Sequence, residues 1–162
     1  MRHFARRVGA ARYGGGAARY GGGTARYGKL GGVPPPYDAQ LFLTLLGIEI
    51  PMGEADHEAR LTVTHPLLAG TGYLWAPVVI AIADALCAFG VSQHWPEGAV
   101  SFTTIECKAN FLSSAREGEV VIGQASPLHL GRTTQVWDAT VTNETSERQM
   151  AAYRCTQLII YG

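Results

Sequence analysis

The chain has 162 residues, of which 47% are hydrophobic and 16% are charged; this composition argues against a disordered protein and fits one globular domain with its own core. The 13 Lys and Arg formally balance the 13 Asp and Glu, but the two signs are separated along the chain. Residues 1–34 hold six Arg and one Lys without an acid. The remaining body is therefore acidic, with six bases against 13 acids, and shows no sign of a nucleic-acid interface.

The N-terminal segment has low complexity. A motif recurs every seven residues over 11–32, as ARYGGGA, ARYGGGT and ARYGKLGG, and its glycine runs disfavour the coiled coil that such a period would otherwise suggest. We therefore predict a flexible tail over residues 1–36 and a folded domain over residues 37–162. Three interpretations of the tail stay open: an RNA-binding arm, a transit-peptide-like leader, and a solvated or spurious extension, which is preferred.

The folded part is expected to begin with a short helix and a strand. Asp38 is placed to cap a helix over Ala39–Leu46, in which apolar residues recur at helical spacing, and Gly47 is expected to end it. A first strand is predicted over Ile48–Thr64, with a break near Pro51, because apolar and polar residues alternate in its second half.

A long apolar helix follows, and it contains one isolated charge. The helix is predicted over Ala76–Phe89, and Asp84 is the only side chain charged at neutral pH between Pro66 and Gln93. A lone carboxylate in so apolar a segment is costly to bury and marks a candidate functional group. The 14 residues of uninterrupted helix are too few to span a bilayer, so we predict a buried core helix.

Four further strands with short turns are predicted after this helix. They cover Phe102–Leu112, Glu119–Ser126, Thr133–Thr142 and Gln149–Ile160, and we expect them to form a meander. A helix that is apolar nearly all round must be covered by other elements. The fold class is therefore predicted as α+β, with a five- to six-stranded antiparallel sheet wrapped around one long central helix and a short N-terminal helix.

The three cysteines carry little functional signal. Cys87, Cys107 and Cys155 lie far apart in the sequence, with an odd count and no CxxC pair. Reduced thiols of a cytoplasmic protein explain them best, and Cys87 is expected to pack as a small apolar residue. No His, Cys or Asp spacing predicts a metal site.

Four segments resemble known sequence patterns in the right order: GYLWAPVVIAIAD, FTTIECKANFLSSAREG, LGRTTQVWDATV and AAYRCTQLII. Together they are similar to the hotdog fold, and within it to the PaaI-like (phenylacetate-degradation type) acyl-CoA thioesterases. The resemblance covers roughly Ala39–Ile160. It implies hydrolysis of an acyl-CoA or aryl-CoA thioester, with coenzyme A as part of the substrate and no other cofactor.

The resemblance assigns two catalytic positions. Asp84 matches the family's catalytic acid, and Ala76 matches the residue whose backbone N–H receives the thioester oxygen. Trp75 stands where the family has His, and Pro77 where it has a second Gly. Pro77 is expected at the first helical position, where proline is well tolerated. The Trp could reshape acyl selectivity or slow turnover.

The spacing of these two positions has a consequence for assembly. Eight residues of helix separate Ala76 from Asp84, roughly 12 Å along the axis, whereas reacting groups must lie about 3–3.5 Å apart. One helix cannot bring both groups to one substrate, so we expect a homodimer in which the Ala76 N–H of one protomer works with Asp84 of the other. The resemblance implies the same arrangement, often doubled to a homotetramer.

Substrate binding is assigned to residues around these two positions. Arg132 and Arg116 are the candidate phosphate ligands, because the acidic body has few cations to offer. Tyr73 and Trp75 are candidates for the acyl pocket. The full set of expected substrate-binding residues is Tyr73, Leu74, Trp75, Pro77, Phe111, Leu112, Arg116, Gly131, Arg132 and Thr133.

Several alternatives remain at this point. Asp84 would act as a general base on water or as a nucleophile that forms a mixed anhydride. A catalytically weak hotdog module that binds acyl-CoA or only dimerises is the rival function, and Trp75 favours it. A hotdog dehydratase is a third possibility, although these generally use a His that the chain lacks before Ala76. The acyl group, and the choice between CoA and an acyl-carrier protein, are not fixed by the sequence.

Overall fold

The computed structural model describes residues 39–51 and 58–162. The predicted tail, the predicted cap at Asp38 and part of the predicted strand break lie outside these residues, so they stay predictions. Helix α1 covers Ala39–Leu46, as predicted, and ends at Gly47, whose positive φ of 72° is the left-handed conformation common after helices.

One antiparallel sheet of six strands forms the body of the part of the chain that the structure describes. The strands are β1 (Ile48–Glu49), β2 (Glu58–Thr62), β3 (Ala99–Phe111), β4 (Val120–Leu130), β5 (Thr134–Asn143) and β6 (Arg148–Tyr161). Their order across the sheet is β1-β2-β4-β5-β6-β3. The predicted α+β class is confirmed, and the predicted antiparallel sheet of five to six strands has six.

Two predictions about the strands are wrong in detail. The segment predicted as a strand over Ile48–Thr64 is interrupted near Pro51, as expected, but its two parts are separate strands that pair with each other. The predicted four-strand meander holds only for β4, β5 and β6, because β3 lies beside β6 at the far edge and β2 takes the place beside β4. The long helix between β2 and β3 carries the chain away before it returns to the sheet, so these two strands need not be neighbours.

The central helix α2 is longer than predicted. It covers Ala76–Gln93, four residues beyond the expected end at Phe89, and Gly90 lies inside it. Gly90 allows close packing between the helix and the sheet, because its backbone lies against the ring of Trp137 on β5 with no room for a Cβ atom. By length and composition the helix could also span a membrane, but in the structure it packs mainly against β4, β5 and β6, as the core helix of a folded domain does.

The core lies between α2 and the concave face of the sheet. Its largest fully buried side chains include Trp137, Leu61, Ile82 and Leu86. Strand β3 differs from the other long strands, since it is an edge strand of 13 residues whose apolar side chains remain largely in solvent. The exposed members are Val100, Ile105 and Phe111. Long exposed edges of this kind are usually paired or covered.

Candidate active site

Asp84 lies on the face of α2 that points toward β6 and the free edge strand β3. Its Oδ1 atom accepts a hydrogen bond of 2.8 Å from the hydroxyl of Tyr153 on β6. The hydroxyl of Thr104 on β3 lies 3.4 Å from the same oxygen. The side chain is half-buried, so the carboxylate is anchored at one end and still reachable from the edge of the sheet.

Two of the groups near Asp84 are buried polar side chains. Tyr153 is 4% exposed and Gln157 is fully buried. The Thr104 hydroxyl has one proton to donate, and it lies closer to Gln157 Oε1, at 3.1 Å, than to Asp84. Burial of the phenol, its hydrogen bond to Asp84 and the charge of Asp84 all raise the pKa of Tyr153, so it remains a proton donor.

The cysteines near Asp84 belong to the core or the sheet edge. Cys87, one helical turn after Asp84, is fully buried against Cys155 of β6. Its hydrogen bond to Cys155 and its burial raise the pKa of the Cys87 thiol, so it stays protonated and packs as an apolar group. Cys107 is exposed on β3, directly opposite Cys155.

Ala76 is the first residue of α2. Trp75 precedes it as the N-cap, with extended backbone angles of −71° and 132°, and its own N–H donates to Leu67 O at 3.0 Å. The first four N–H groups of a helix have no partner within the helix. The Ala76 N–H is one of them, and it lies at the positive end of the helix macrodipole.

Pro77 is the second helical residue, one position later than predicted. The consequence is the same, because the N–H that proline lacks would also belong to the unpaired first turn. Trp75 is 57% exposed, so its indole faces solvent beside the Ala76 amide. Leu74, in contrast, is 6% exposed and packs in the core.

Tyr73 and Arg116 form a cluster near the N-terminal end of α2. The Arg116 guanidinium donates to the Tyr73 hydroxyl at 2.7 Å and lies 4.7 Å from the centre of its ring. Both line an open polar cavity of about 370 Å³, together with Ser113, Ser114 and Arg148. The two arginines and the hydroxyl groups of this lining are suitable ligands for a phosphate, whereas the Glu119 carboxylate, which also lines the cavity, would repel one.

Arg132 belongs to a second cluster, in the turn between β4 and β5. Its guanidinium lies 4.8 Å from the centre of the Tyr161 ring, and the Tyr161 hydroxyl donates to Arg132 O at 2.6 Å. The turn is closed by hydrogen bonds from Gly131 N to Thr134 O and from Ile159 N to Thr133 O, both of 2.9 Å. The backbone of Arg132 is therefore fixed while its side chain remains exposed.

The two arginine clusters lie at opposite ends of α2. The Arg116 cluster is next to the N-terminal end, since Leu74 N donates to Ala115 O. Strand β5 begins near the C-terminal end, where Gln135 donates to His94 O. A helix of 18 residues is roughly 27 Å long. One protomer therefore does not bring Arg116 and Arg132 together, although Phe111 and Leu112 lie exposed on the segment leading to Arg116.

Comparisons with known proteins assign the family. A model of the thioesterase superfamily matches residues 71–149. The 1,4-dihydroxy-2-naphthoyl-CoA hydrolase of Listeria monocytogenes is 32% identical over 112 residues, which are 68% of this chain and 89% of the relative. The chain belongs to the thioesterase superfamily.

Solved structures agree with this assignment. A thioesterase from Haemophilus influenzae matches this thioesterase with a TM-score of 0.67 and 30% identity, over 76% of this chain and 87% of the other. The PaaI protein from the phenylacetic acid degradation operon of E. coli matches with a TM-score of 0.65 and 24% identity, over 75% and 86% of the two chains. The predicted hotdog fold is confirmed, the PaaI protein shares that fold, and the chain is a thioesterase enzyme.

The structure places two residues beside the candidate catalytic Asp84 that the sequence did not suggest. Tyr153 and Thr104 contact Asp84 from strands 69 and 20 residues away in the chain. The only sequence signal for Tyr153 was a polar group at a buried position of β6. Within residues 39–51 and 58–162, no group of three or more His, Cys, Asp or Glu side chains is close enough to hold a metal ion.

Proposed function

We propose that this thioesterase hydrolyses an acyl-CoA or aryl-CoA thioester to the free acid and CoA, in a site shared between two protomers. The backbone N–H of Ala76 from one protomer receives the thioester oxygen, and Asp84 of the other acts on water or on the thioester carbon. The observation that carries this proposal is the orientation of Asp84 toward the free edge of the sheet, roughly 12 Å along the helix from Ala76.

The free edge of β3 supports a homodimer. Two copies related by a two-fold axis can pair their β3 strands edge to edge, which extends the sheet and satisfies the unpaired backbone groups. The two α2 helices would then lie side by side in opposite directions on the same face of the joined sheet. In this arrangement the N-terminal end of one helix approaches the middle of the other, which brings Ala76 toward the Asp84 of its mate.

The chemistry follows from these two groups. Water adds to the thioester carbon as Asp84 accepts its proton, and negative charge develops on the carbonyl oxygen next to the Ala76 N–H. The C–S bond then breaks, and the thiolate of CoA leaves and is protonated. In the alternative route the Asp84 carboxylate attacks first, and water hydrolyses the resulting mixed anhydride.

The two arginine clusters near the ends of α2 suggest how CoA is held. The Listeria relative is named as a hydrolase of a CoA thioester, and CoA carries phosphates that arginine binds well. With the helices antiparallel across a dimer, Arg116 of one protomer and Arg132 of the other lie toward the same site. The exposed Phe111, Leu112 and Trp75 are suited to contact the apolar acyl group.

A dimer of dimers is proposed as the next level of assembly. Leu158 and Ile160 on β6 are 36% and 37% exposed and lie two residues apart on one face of the strand. Light scattering of the purified protein measures this directly. A stable dimer at all accessible concentrations would contradict the tetramer and leave the shared site intact.

The first experiment is a panel of acyl-CoA substrates, with the released thiol detected by a dye. We expect turnover on at least one, and a loss of at least about 100-fold in kcat for Asp84→Asn with the oligomer intact. Ala76→Pro replaces the amide proton by the Cδ of the proline ring and keeps the helix start, because proline fits the first helical position and Trp75 already has the extended backbone that a following proline requires. It is expected to lower kcat by about 100-fold or more.

Mixing the two variants tests whether the site is shared. A dimer of one Ala76→Pro chain and one Asp84→Asn chain contains one intact site and one with both defects, so random mixing should recover about a quarter of wild-type activity. A mixture of Asp84→Asn with Asp84→Ala is the control and should recover none. A monomeric protein, or a mixture without recovery, contradicts the shared site.

The second candidate function is a catalytically weak module that binds acyl-CoA or only dimerises. The observation in its favour is Trp75, an exposed indole where the resembling enzymes have His. Isothermal titration with CoA separates the two functions. Measurable binding of CoA without turnover on any substrate in the panel would favour the module.

A further inference from the structure

Tyr153 is held more firmly than any other group in contact with Asp84. It lies in the middle of β6, directly opposite Ala109 of β3 on one side and Ala139 of β5 on the other. Its backbone is thus paired with both neighbouring strands, and its side chain is 4% exposed within the core. The phenol cannot move without disturbing the centre of the sheet.

The hydrogen bond to Asp84 Oδ1 is the main contact of that carboxylate. At 2.8 Å it has the length of a good O–H···O bond, whereas the Thr104 hydroxyl at 3.4 Å is beyond the usual range. Thr104 also has a nearer acceptor in Gln157. Among residues 39–51 and 58–162, no side chain or backbone group donates a hydrogen bond to Oδ2, so this oxygen keeps its capacity to accept one.

We propose that Tyr153 is a positioning residue of the hydrolysis: it fixes Oδ1 of Asp84 and thereby directs Oδ2 toward the thioester bound by the partner protomer. The assignment rests on the proposed function, because it gives Asp84 a reaction to perform. Tyr153 itself does not touch the substrate.

Asp84 needs such an anchor because the terminal torsion of an aspartate side chain rotates easily. Its terminal torsion has a broad energy profile, so an unanchored carboxylate samples many orientations. A displacement of about 1 Å in a reacting group costs on the order of 100-fold in rate. Burial and the charge of Asp84 keep the phenol protonated, as described above, so the anchor persists wherever Asp84 is ionised.

The test is Tyr153→Phe, which removes the hydroxyl and keeps the ring that fills the core. We expect kcat to fall about 10- to 100-fold while KM changes less than about twofold, because the substrate contacts are intact. The control is Ser92→Ala. It also removes a half-buried hydroxyl group on α2, but this hydroxyl donates its hydrogen bond to Phe89 O and not to Asp84. Its kcat should equal that of the wild type.

Two further measurements keep the result interpretable. Replacing Tyr153 by 3-fluorotyrosine retains the ring and the hydroxyl and should keep kcat within about threefold of wild type, even if the Phe variant folds poorly. In an Asp84→Asn background, Tyr153→Phe should lower kcat by less than about twofold, because its effect passes through Asp84.

The outcomes separate this assignment from the proposed function. A wild-type enzyme inactivated by Asp84→Asn, combined with a folded Tyr153→Phe variant of unchanged kcat, overturns the assignment and leaves the function standing. If Tyr153→Phe and Ser92→Ala raise KM and lower kcat to the same extent, the effect is a general structural one. This result also overturns the assignment of Tyr153. A wild-type protein without turnover on any thioester overturns both.

Discussion

Gly90 of α2 lies directly against the ring of Trp137 on β5. A Cβ atom built on Gly90 would stand 2.4 Å from Cζ3 of the indole, far inside van der Waals contact. Trp137 is fully buried, and its Nε1 donates to Gln135 Oε1 at 3.1 Å, so the ring has no space to withdraw. The close contact between α2 and β5 therefore requires glycine at position 90, because any side chain there would collide with the indole.

Gly90→Ala is accordingly expected to destabilise the protein by about 1–3 kcal/mol, despite the higher helix propensity of alanine. The measurement is the midpoint of urea denaturation followed by circular dichroism. Gly70→Ala is the matched control, since no atom lies within 4 Å of its Cβ position, and it should unfold at the wild-type midpoint. Equal midpoints for the two variants would contradict the packing argument.

Trp75→His restores the residue found at this position in the resembling family. Because Trp75 is 57% exposed, the change should leave stability nearly unaltered. One added hydrogen bond to the substrate is worth a rise of about 3- to 10-fold in kcat/KM. Steady-state kinetics on the acyl-CoA panel measure it, with Trp75→Phe, which adds no polar group, as the comparison. Unchanged kinetics in the His variant would show that position 75 does not limit turnover.

Arg132→Ala is predicted to raise KM for acyl-CoA by about 10-fold or more, through the loss of a charged hydrogen bond to phosphate. The KM for the matching acyl-pantetheine, which lacks the nucleotide, should not change. Arg116→Ala is expected to behave in the same way. Arg60→Ala serves as the control, because the Arg60 guanidinium is held in an ion pair with Glu144 and does not line the Arg116 cavity. An equal effect on both substrates would exclude a phosphate contact.

Glu119 links the acid stability of the fold to the polar cavity. The backbone N–H of Arg116 and then the side chain of Asn143 donate to Glu119 Oε2, and these bonds hold the pKa of Glu119 below its ordinary value of 4.5. The unfolded chain binds a proton more readily at this group. The resulting stability is present above pH 4.5 and is lost as the pH falls through the folded-state pKa.

We therefore expect Glu119→Gln to lower the urea midpoint at pH 7 and to converge with the wild type at acid pH, below the folded-state pKa of Glu119. Glu97→Gln changes an exposed carboxylate before β3 and should match the wild type at both pH values. A constant difference between Glu119→Gln and the wild type across this range would indicate a loss of packing in place of a loss of charge.

The two ends of α2 show which helix boundaries the local sequence pattern predicts and which it does not. Its start at Ala76 was predicted, because Pro77 and the apolar run are local signals. Its end was predicted four residues early, because an isolated glycine usually weakens a helix. The contact of Gly90 with Trp137, 47 residues later in the chain, outweighs that preference, and no local signal contains it.

The placement of β3 shows what the local sequence pattern does not determine. The sequence predicts that Ile105, Cys107, Ala109 and Phe111 share one face of this strand. The last three do share it, but a bulge between Thr104 and Glu106 takes Ile105 out of the register with β6. The predicted partner of β3 was wrong, because the alternation of apolar and polar residues determines only which side chains share a face. It does not determine which strand lies alongside. Strand order depends on where α2 returns the chain, which is decided by packing over the whole sheet.

The amino-acid sequence alone determined the isolated carboxylate at position 84, the helix that carries it and the eight-residue spacing from Ala76, since charge, periodicity and distance along a helix are local properties of the chain. Only the tertiary structure decided that Asp84 turns to a free sheet edge, that Tyr153 anchors it and that the two arginines stand at opposite ends of α2. These relationships join residues from distant strands, and they exist only once the sheet has closed around its helix.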